Sequence, residues 1–365
     1  MIFSLNDDQR MLVDSVKRFA TQAVRDAAPQ VDMDGVMDDR LFQQAVELGL
    51  PLDAIPEAHG GYLEGDYLHL FRALRSDQLG AACAGIAHQL ESITDVALLL
   101  SSADAAMQQR WYKRITEAPF ARAAVLGAAD GFTVAPSGDG LSLSGRQSAV
   151  LLAESAEVWM VRATGAEGTV LVLLPGKPAG AETARLSNTG WRACDACDVH
   201  LTGITVPAED VLARGADADE LWARFLDTAR LSVSARGIGT AQAAIDFARE
   251  YAADRVQFGR PIGKFQSIAQ MIEESQLAVD AARLLVFETA ARVDGGQRSS
   301  DRIRMVKAHV SRVLTRASID AVQVLGGYGF VNDYPVEKYY RDARVFETLY
   351  GRDILDALID VQAAV

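Results

Sequence analysis

Along this chain the spacing of apolar residues changes period twice, from helical to strand-like and back, and few architectures accommodate that order. In "DDQRMLVDSVKRFATQAV" (7–24), Leu12, Val16, Phe19, Ala20 and Ala23 recur at helical spacing and form one stripe. Helical patterning holds to about residue 118, broken by the turn chemistry of "PEAHGGYLEGD" before another helix starts near Tyr67. From about 119 to 216 the pattern becomes short apolar runs bounded by Gly, Pro, Asn and Asp, as in "GLSLSG", "VWMVRA", "TVLVLLP" and "VHLTGITVP". Helical spacing then returns and persists to the C-terminus. The expected organisation is a helical domain over 1–118, an antiparallel β domain over 119–216 and a helical bundle over 217–365, a mainly α fold with a β middle.

At 365 residues with 49% apolar and 23% charged side chains, the chain has the makeup of an ordinary globular protein with a large core. A net charge of -13 argues against a protein that wraps nucleic acid or an anionic membrane. No apolar run approaches eighteen residues, and "MIFSLNDDQRML" is too polar for a secretory signal, so a cytoplasmic location is expected.

Motifs of several common enzyme classes are missing. "ARGIGTAQ" (235–242) contains G-x-G but sits inside a helical run, whereas a dinucleotide fingerprint needs strand, tight turn and helix; Gly237 and Gly239 read as close-packing positions between helices. Walker-type, G-x-S-x-G and H-E-x-x-H sequences are absent. Cys194 and Cys197 form a C-x-x-C with His200 three residues on, but no second ligand pair complements it, so no metal is expected.

"RVQFGRPIGKFQSIAQ" (255–270) interrupts two helical zones with a Gly-Arg-Pro turn. Its Arg255, Gln257, Arg260, Lys264, Gln266 and Gln270 surround Phe258, Ile262 and Phe265, a set that suits a diphosphate joined to a flat heterocycle. A polar turn between helices is the competing reading of these residues alone. In "QVLGGYGFVNDYPVEKYYRDAR" (323–344), Gly326-Gly327 ends a helix where backbone amides become free and a ligand can approach closely.

Together these two stretches resemble the acyl-CoA dehydrogenase family. The resemblance also covers "FSLNDDQRMLVDSVKRFA", "LGLPLDAIPEAHGG" and "VHLTGITVPAEDVL", and so spans most of the chain. It implies the acyl-CoA dehydrogenase fold, FAD as cofactor, an acyl-CoA substrate, an electron-transfer flavoprotein or similar acceptor, and a flavin lying at a subunit interface. It further implies that Arg255, Phe258, Gln266, Gln323, Gly326 and Gly327 hold the ADP end of a neighbour's FAD.

Three parts of the family pattern are missing. The resemblance implies a T-E-P-x-A-G-S-D loop early in the β domain, where this chain reads "LGAADGFTVAPSGDG" (126–140). The next flavin-facing segment is replaced by "RQSAVLLAESA" (146–156), whose aliphatic side chains donate nothing to a flavin edge. The catalytic glutamate that the family carries before the Gly of its closing segment aligns with Tyr350 in "ETLYGRDIL", and the alternative base position on the long helix aligns with Ala229 in "LDTARLSVS". A phenol of pKa ~10 is about one-thousandth ionised at neutral pH, and deprotonating it first costs about 4 kcal/mol. Tyr350 therefore reads as packing, with Glu347 and Asp353 as nearby carboxylates.

Groups that would serve a neighbour's cofactor are thus kept while those serving the chain's own flavin and substrate are missing. The reading that fits is the subunit without the base in a heteromeric α2β2 dehydrogenase, resembling bacterial enzymes of lipid metabolism that act on bulky thioesters, including those of steroid degradation. The alternatives are a self-sufficient dehydrogenase with another carboxylate base, and a flavin oxygenase or flavin-free binding protein on the same fold.

Overall fold

A computed structural model describes residues 7–63, 68–127 and 131–351. α1 (Asp7–Phe19) runs through a π-helical turn (Ala20–Val24) into α2 (Arg25–Asp34), followed by α3 (Asp39–Glu47). Val16, Phe19 and Ala20 of the expected stripe are buried, with Leu12 and Ala23 packed against the same cluster. α4 (His69–Ala82), α5 (Ala84–Leu100) and α6 (Ala105–Glu117) complete the helical part; the expected start near Tyr67 lies outside the described residues. The Asp294 carboxylate caps α4 from the far end of the chain, accepting the His69 and Leu70 amides at 2.7 and 2.9 Å.

The middle region holds β1 (Ala123–Leu126), β2 (Phe132–Ser137), β3 (Gly140–Leu151), β4 (Val158–Gly165), β5 (Gly168–Leu174), β6 (Glu182–Arg185), β7 (Ala196–Val206) and β8 (Val211–Arg214). They form one sheet in the order β6-β7-β3-β2-β4-β5-β8, with β1 beside β4. The pairing departs from a purely antiparallel sheet, since β1 runs parallel to β4 and β2 touches β4 in parallel at Thr133–Thr164. The cause is connectivity: the β2–β3 hairpin lies between β1 and β4, so the chain returns beside β1 in the same direction. β4 is apolar on both faces because each faces a different core, Trp159, Val161 and Ala163 one cluster, Val158 and Met160 the other.

α7 (Gly215–Asp254) spans 40 residues, about 60 Å at the usual rise per residue. Its G-x-G serves helix packing: a Cβ on Gly239 would lie 2.0 Å from the Asp77 carbonyl oxygen of α4, and one on Gly237 would lie 2.9 Å from Val310. Gly80 of α4 answers in kind, 2.3 Å from the Arg236 carbonyl oxygen. A two-residue hairpin follows, β9 (Val256–Gln257) against β10 (Arg260–Pro261), turning at Phe258 and Gly259 with φ of 52° and 80°. The sequence reading placed no strand after residue 230, so this hairpin corrects it; Pro261 and the positive-φ Gly259 close the turn where α7 cannot continue. α8 (Gln266–Asp294), α9 (Ser300–Leu325) and α10 (Val336–Thr348) finish the bundle. Among the described residues, no helix is long and apolar enough to cross a membrane.

α5 is buried on nearly every side yet carries His88, Gln89, Glu91, Ser92, Thr94 and Asp95. Charged groups so placed need partners, and for Glu91 and Asp95 neighbouring helices supply them. Arg72 of α4 meets Asp95 at 2.6 Å, Arg75 meets Glu91 at 3.2 Å and also binds Asp53, and Arg236 of α7 donates Nε to Glu91 at 3.0 Å. Ser76 Oγ completes the Glu91 shell at 2.8 Å.

Candidate functional site

Two hollows flank the bundle, and the residues singled out in the sequence divide between them. The smaller, about 430 Å³, is walled by Tyr251, Arg255, Ile262, Gly326, Gly327 and Tyr328 among others. Arg255 follows the last residue of α7, its guanidinium 5.6 Å from the centre of the Tyr328 ring, and no carboxylate pairs with it among the described residues. A Cβ on Gly326 or Gly327 would meet nothing of this chain, so the wall is open to an outside group. Gly326 needs to be glycine for its backbone, with φ 60° and ψ −129°. Its amide is not free as expected, because it donates back to the carbonyls of Val322 and Gln323 to close the end of α9.

Gln323 and Gln266 are exposed at the end of α9 and the start of α8, near this hollow's elements but not lining it. Phe258, at the hairpin tip, is 93% exposed and touches the Phe265 ring edge-on at 6.2 Å. Tyr251 and Tyr328 were missed by the sequence reading; the aromatic inside "GGYGF" was the available signal.

The larger hollow is an open cleft of about 1870 Å³ between the β sheet and the bundle. On the sheet side it is lined by residues 146–151, where a bulge sets Ala149 at φ 56° and Ser148 Oγ binds Asp198. On the bundle side stand Trp222, Leu226, Arg230, Thr348, Leu349, Tyr350 and Gly351, with His88 of α5 also in the wall. A Cβ on Gly127 would lie 2.2 Å from the Trp222 ring, so the indole covers the start of the loop that departs from the family pattern; residues 128–130 of that loop lie outside the described residues. Trp222 stacks on Phe225 at 5.2 Å, and Phe225 meets Tyr350 edge-on at 5.6 Å.

Tyr350 is half-buried at φ 58°, with its carbonyl fixed by Arg230 Nε at 2.9 Å. Burial raises its phenol pKa well above the ordinary range, and the Asp95 charge raises it further, so the phenol stays neutral. Ala229 is fully buried beneath this aromatic stack and offers no acid–base group. Glu347 does not line the cleft; it accepts from Thr315 and Arg344 at 2.8 Å each, while Asp353 lies outside the described residues. Among the described residues the carboxylates lining the cleft are Glu182 and Asp198, both exposed on the sheet and engaged by His200 and Ser148.

The C-x-x-C is built into the core. Cys194 Sγ donates to the Gly85 carbonyl at 3.2 Å, and Cys197 lies within β7 opposite Val150 of β3. Burial pushes the Cys194 thiol well above its ordinary range and the Cys197 thiol up to about 11, which disfavours the thiolate a metal needs. Metal analysis after dialysis is expected to find no stoichiometric zinc; one zinc per chain would contradict it.

The described residues form a helical region, a β sheet and a helical bundle, with a cleft between the last two. The sequence matches "Acyl-CoA dehydrogenase, N-terminal domain" over residues 6–119 and "Acyl-CoA dehydrogenase, C-terminal domain" over residues 220–359. The chain belongs to the acyl-CoA dehydrogenase family, FAD-dependent oxidoreductases acting on CH–CH groups. It is 27% identical to a glutaryl-CoA dehydrogenase of Desulfococcus multivorans over 96% of this chain and 95% of that protein. Butyryl-CoA dehydrogenase from Megasphaera elsdenii has the same fold, with TM-score 0.91, 24% identity and complete coverage of both chains. A chain in the structure of the electron transferring flavoprotein of Acidaminococcus fermentans matches with TM-score 0.90 and 25% identity, again over both full lengths.

Proposed function

We propose that this chain is the subunit of a heteromeric acyl-CoA dehydrogenase that completes a partner's FAD site and brings no catalytic base of its own. The observation that carries this reading is the asymmetry between the two hollows. Arg255, without a carboxylate partner among the described residues, stands at a wall opened by Gly326 and Gly327, while Phe258 projects into solvent beside it. An exposed aromatic near a cation that has no carboxylate partner among the described residues is a surface that a second subunit with a bound diphosphate would cover. At the cleft, by contrast, Tyr350 and Ala229 hold the positions where the family resemblance puts a base.

Arg255 would hold the diphosphate of FAD, Gly326 and Gly327 would allow its close approach, and Phe258, Gln266 and Gln323 would contribute from outside the hollow. Bound FAD supplies the hydride acceptor of the dehydrogenation. The partner is a homologous chain in an α2β2 assembly, the substrate an acyl-CoA, and the onward acceptor an electron transferring flavoprotein or a protein like it. Bulky acyl groups such as steroid side chains belong to this reading through the resemblance to heteromeric pairs alone. Self-sufficient catalysis is the less supported reading, because Glu347 is tied to Thr315 and Arg344 outside the cleft.

Arg255→Ala is expected to weaken FAD retention in the assembled complex by about 1.5–3 kcal/mol, the range for a hydrogen bond to a charged group. Flavin content and affinity measured on the co-purified complex test it. An unchanged affinity removes Arg255 from the cofactor site.

A further inference from the structure

In the smaller hollow, the backbone and the side chain of Arg255 are held by different means. Backbone hydrogen bonds pin the residue on both sides: its amide donates to the Tyr251 carbonyl at 2.9 Å, and its carbonyl accepts from the Ile262 amide at 2.8 Å. The side chain has no such anchor. No carboxylate pairs with it among the described residues, and its guanidinium lies over the Tyr328 ring, 5.6 Å from the centre. An arginine free to rotate about its long stem must give up that freedom when it grips a ligand, which weakens the grip. Whatever fixes the guanidinium beforehand removes that penalty.

The Tyr328 ring is itself fixed, although 46% of the residue is exposed. Tyr334 meets it edge-on at 5.7 Å, and Tyr251 lies against it at 6.4 Å. Tyr334 also stands edge-on to Tyr251 at 6.2 Å and to Phe247 at 6.0 Å, and these three pack against the main core. The ring is thus a platform rooted in α7. A carboxylate in its place would hold the arginine more tightly, but would take its N–H donors and cancel its charge. A ring attracts the cation through its quadrupole and leaves both charge and donors for an incoming anion. On the other strand of the hairpin Arg260 lies over Phe265 at 4.2 Å, outside the walls of the hollow.

We propose that Tyr328 is a positioning residue, which holds the Arg255 guanidinium at the wall of the hollow with its charge and N–H donors unspent, ready for a diphosphate. Gly326 and Gly327 keep that wall open, since a Cβ on either would meet nothing of this chain. The inference rests on the reading of this hollow as the cofactor-diphosphate site and adds to it the group that acts through Arg255.

Two measurements on the purified full-length chain provide the test, the first without ligand. In NMR relaxation of arginine Nε–H groups, the Arg255 signal, assigned by its loss in Arg255→Ala, is expected to be ordered in the wild type and in Tyr328→Phe. It is expected to become mobile in Tyr328→Met and Tyr328→Leu, two replacements that remove the ring but pack differently. The Arg260 signal should stay unchanged throughout, which shows that the hairpin is intact. The second measurement is calorimetric titration with inorganic pyrophosphate. Tyr328→Met and Tyr328→Leu should each weaken binding roughly 2- to 5-fold, and Tyr328→Phe should leave it unchanged. In the Arg255→Ala background neither ring-removing substitution should weaken binding further, because Tyr328 acts only through Arg255. An Arg255 side chain equally ordered with and without the ring, an affinity that ring removal leaves unchanged, or an equal loss in the Arg255→Ala background overturns the positioning role. No binding of pyrophosphate by the wild type, or equal binding by Arg255→Ala, would instead overturn the diphosphate reading of the hollow and leave the order of Arg255 to judge the ring contact separately.

Discussion

Purified alone, this chain is expected to oxidise no acyl-CoA at a measurable rate, and co-purified with its partner it is expected to yield one FAD for every two chains. Both results follow from the distribution of groups between the two hollows. Abstraction of an α proton needs a carboxylate over the substrate, and the phenol of Tyr350 begins about 4 kcal/mol behind one at neutral pH before burial adds to the deficit. That handicap corresponds to roughly a thousandfold or more in rate. Tyr350→Glu is expected not to restore turnover in the single chain, because Trp222 would still lie on Gly127 where the flavin-facing loop begins. The comparison is the single chain against the pair, assayed with an artificial acceptor and several acyl-CoA esters, with flavin counted by absorbance. Full flavin occupancy and turnover by the single chain would falsify the partner model.

Glu91→Ala is expected to destabilise the fold by about 3–5 kcal/mol, the cost of removing one member of a buried ion cluster. Glu91 is fully buried between the guanidiniums of Arg75 and Arg236 with Ser76 as an added donor, so its loss leaves two cations short of their partner. Glu117→Ala is the control. Glu117 faces Lys113 in an exposed pair at 3.8 Å, and its replacement should change stability by less than about 1 kcal/mol. Thermal or urea unfolding distinguishes the two, and equal midpoints would show that the cluster contributes no net stability.

The pH dependence of that contribution has a definite sign. Burial alone would raise the Glu91 pKa, but the charges of Arg236, Arg75 and Arg72 outweigh it and hold the folded-state value below the ordinary carboxylate range. A lowered pKa means the stabilisation is fully present above the ordinary range and fades as pH falls through the folded-state value. The difference between Glu91→Ala and wild type should therefore narrow in strong acid. His69, whose pKa burial lowers to about 4, adds acid sensitivity at milder pH, since the unfolded chain takes up its proton near pH 6.5 and the folded chain does not.

Local pattern was enough to read much of this protein. The stripe of Val16, Phe19 and Ala20 follows from helical spacing, and the glycines at 237 and 239 were legible as packing positions because they lie within a helical run. The turn at 255–261 was visible as a break, though not as a hairpin, since two-residue strands leave no periodicity to detect. Arg255, Gly326 and Gly327 could be paired because family resemblance joined two distant stretches, and the fold brings them to one hollow.

What the sequence determined by itself was the order of helical, β and helical zones and the family, because periodicity and residue identity are local properties. Tertiary structure alone decided which charged side chains meet in the core. Arg72, Glu91, Asp95 and Arg236 are separated by up to 164 positions and meet only where α4, α5 and α7 cross. No local signal marks His88 as buried beside the Arg236 guanidinium or as holding a depressed pKa. Those properties come from burial and from a guanidinium on another helix, and burial and long-range charge exist only once the chain has packed.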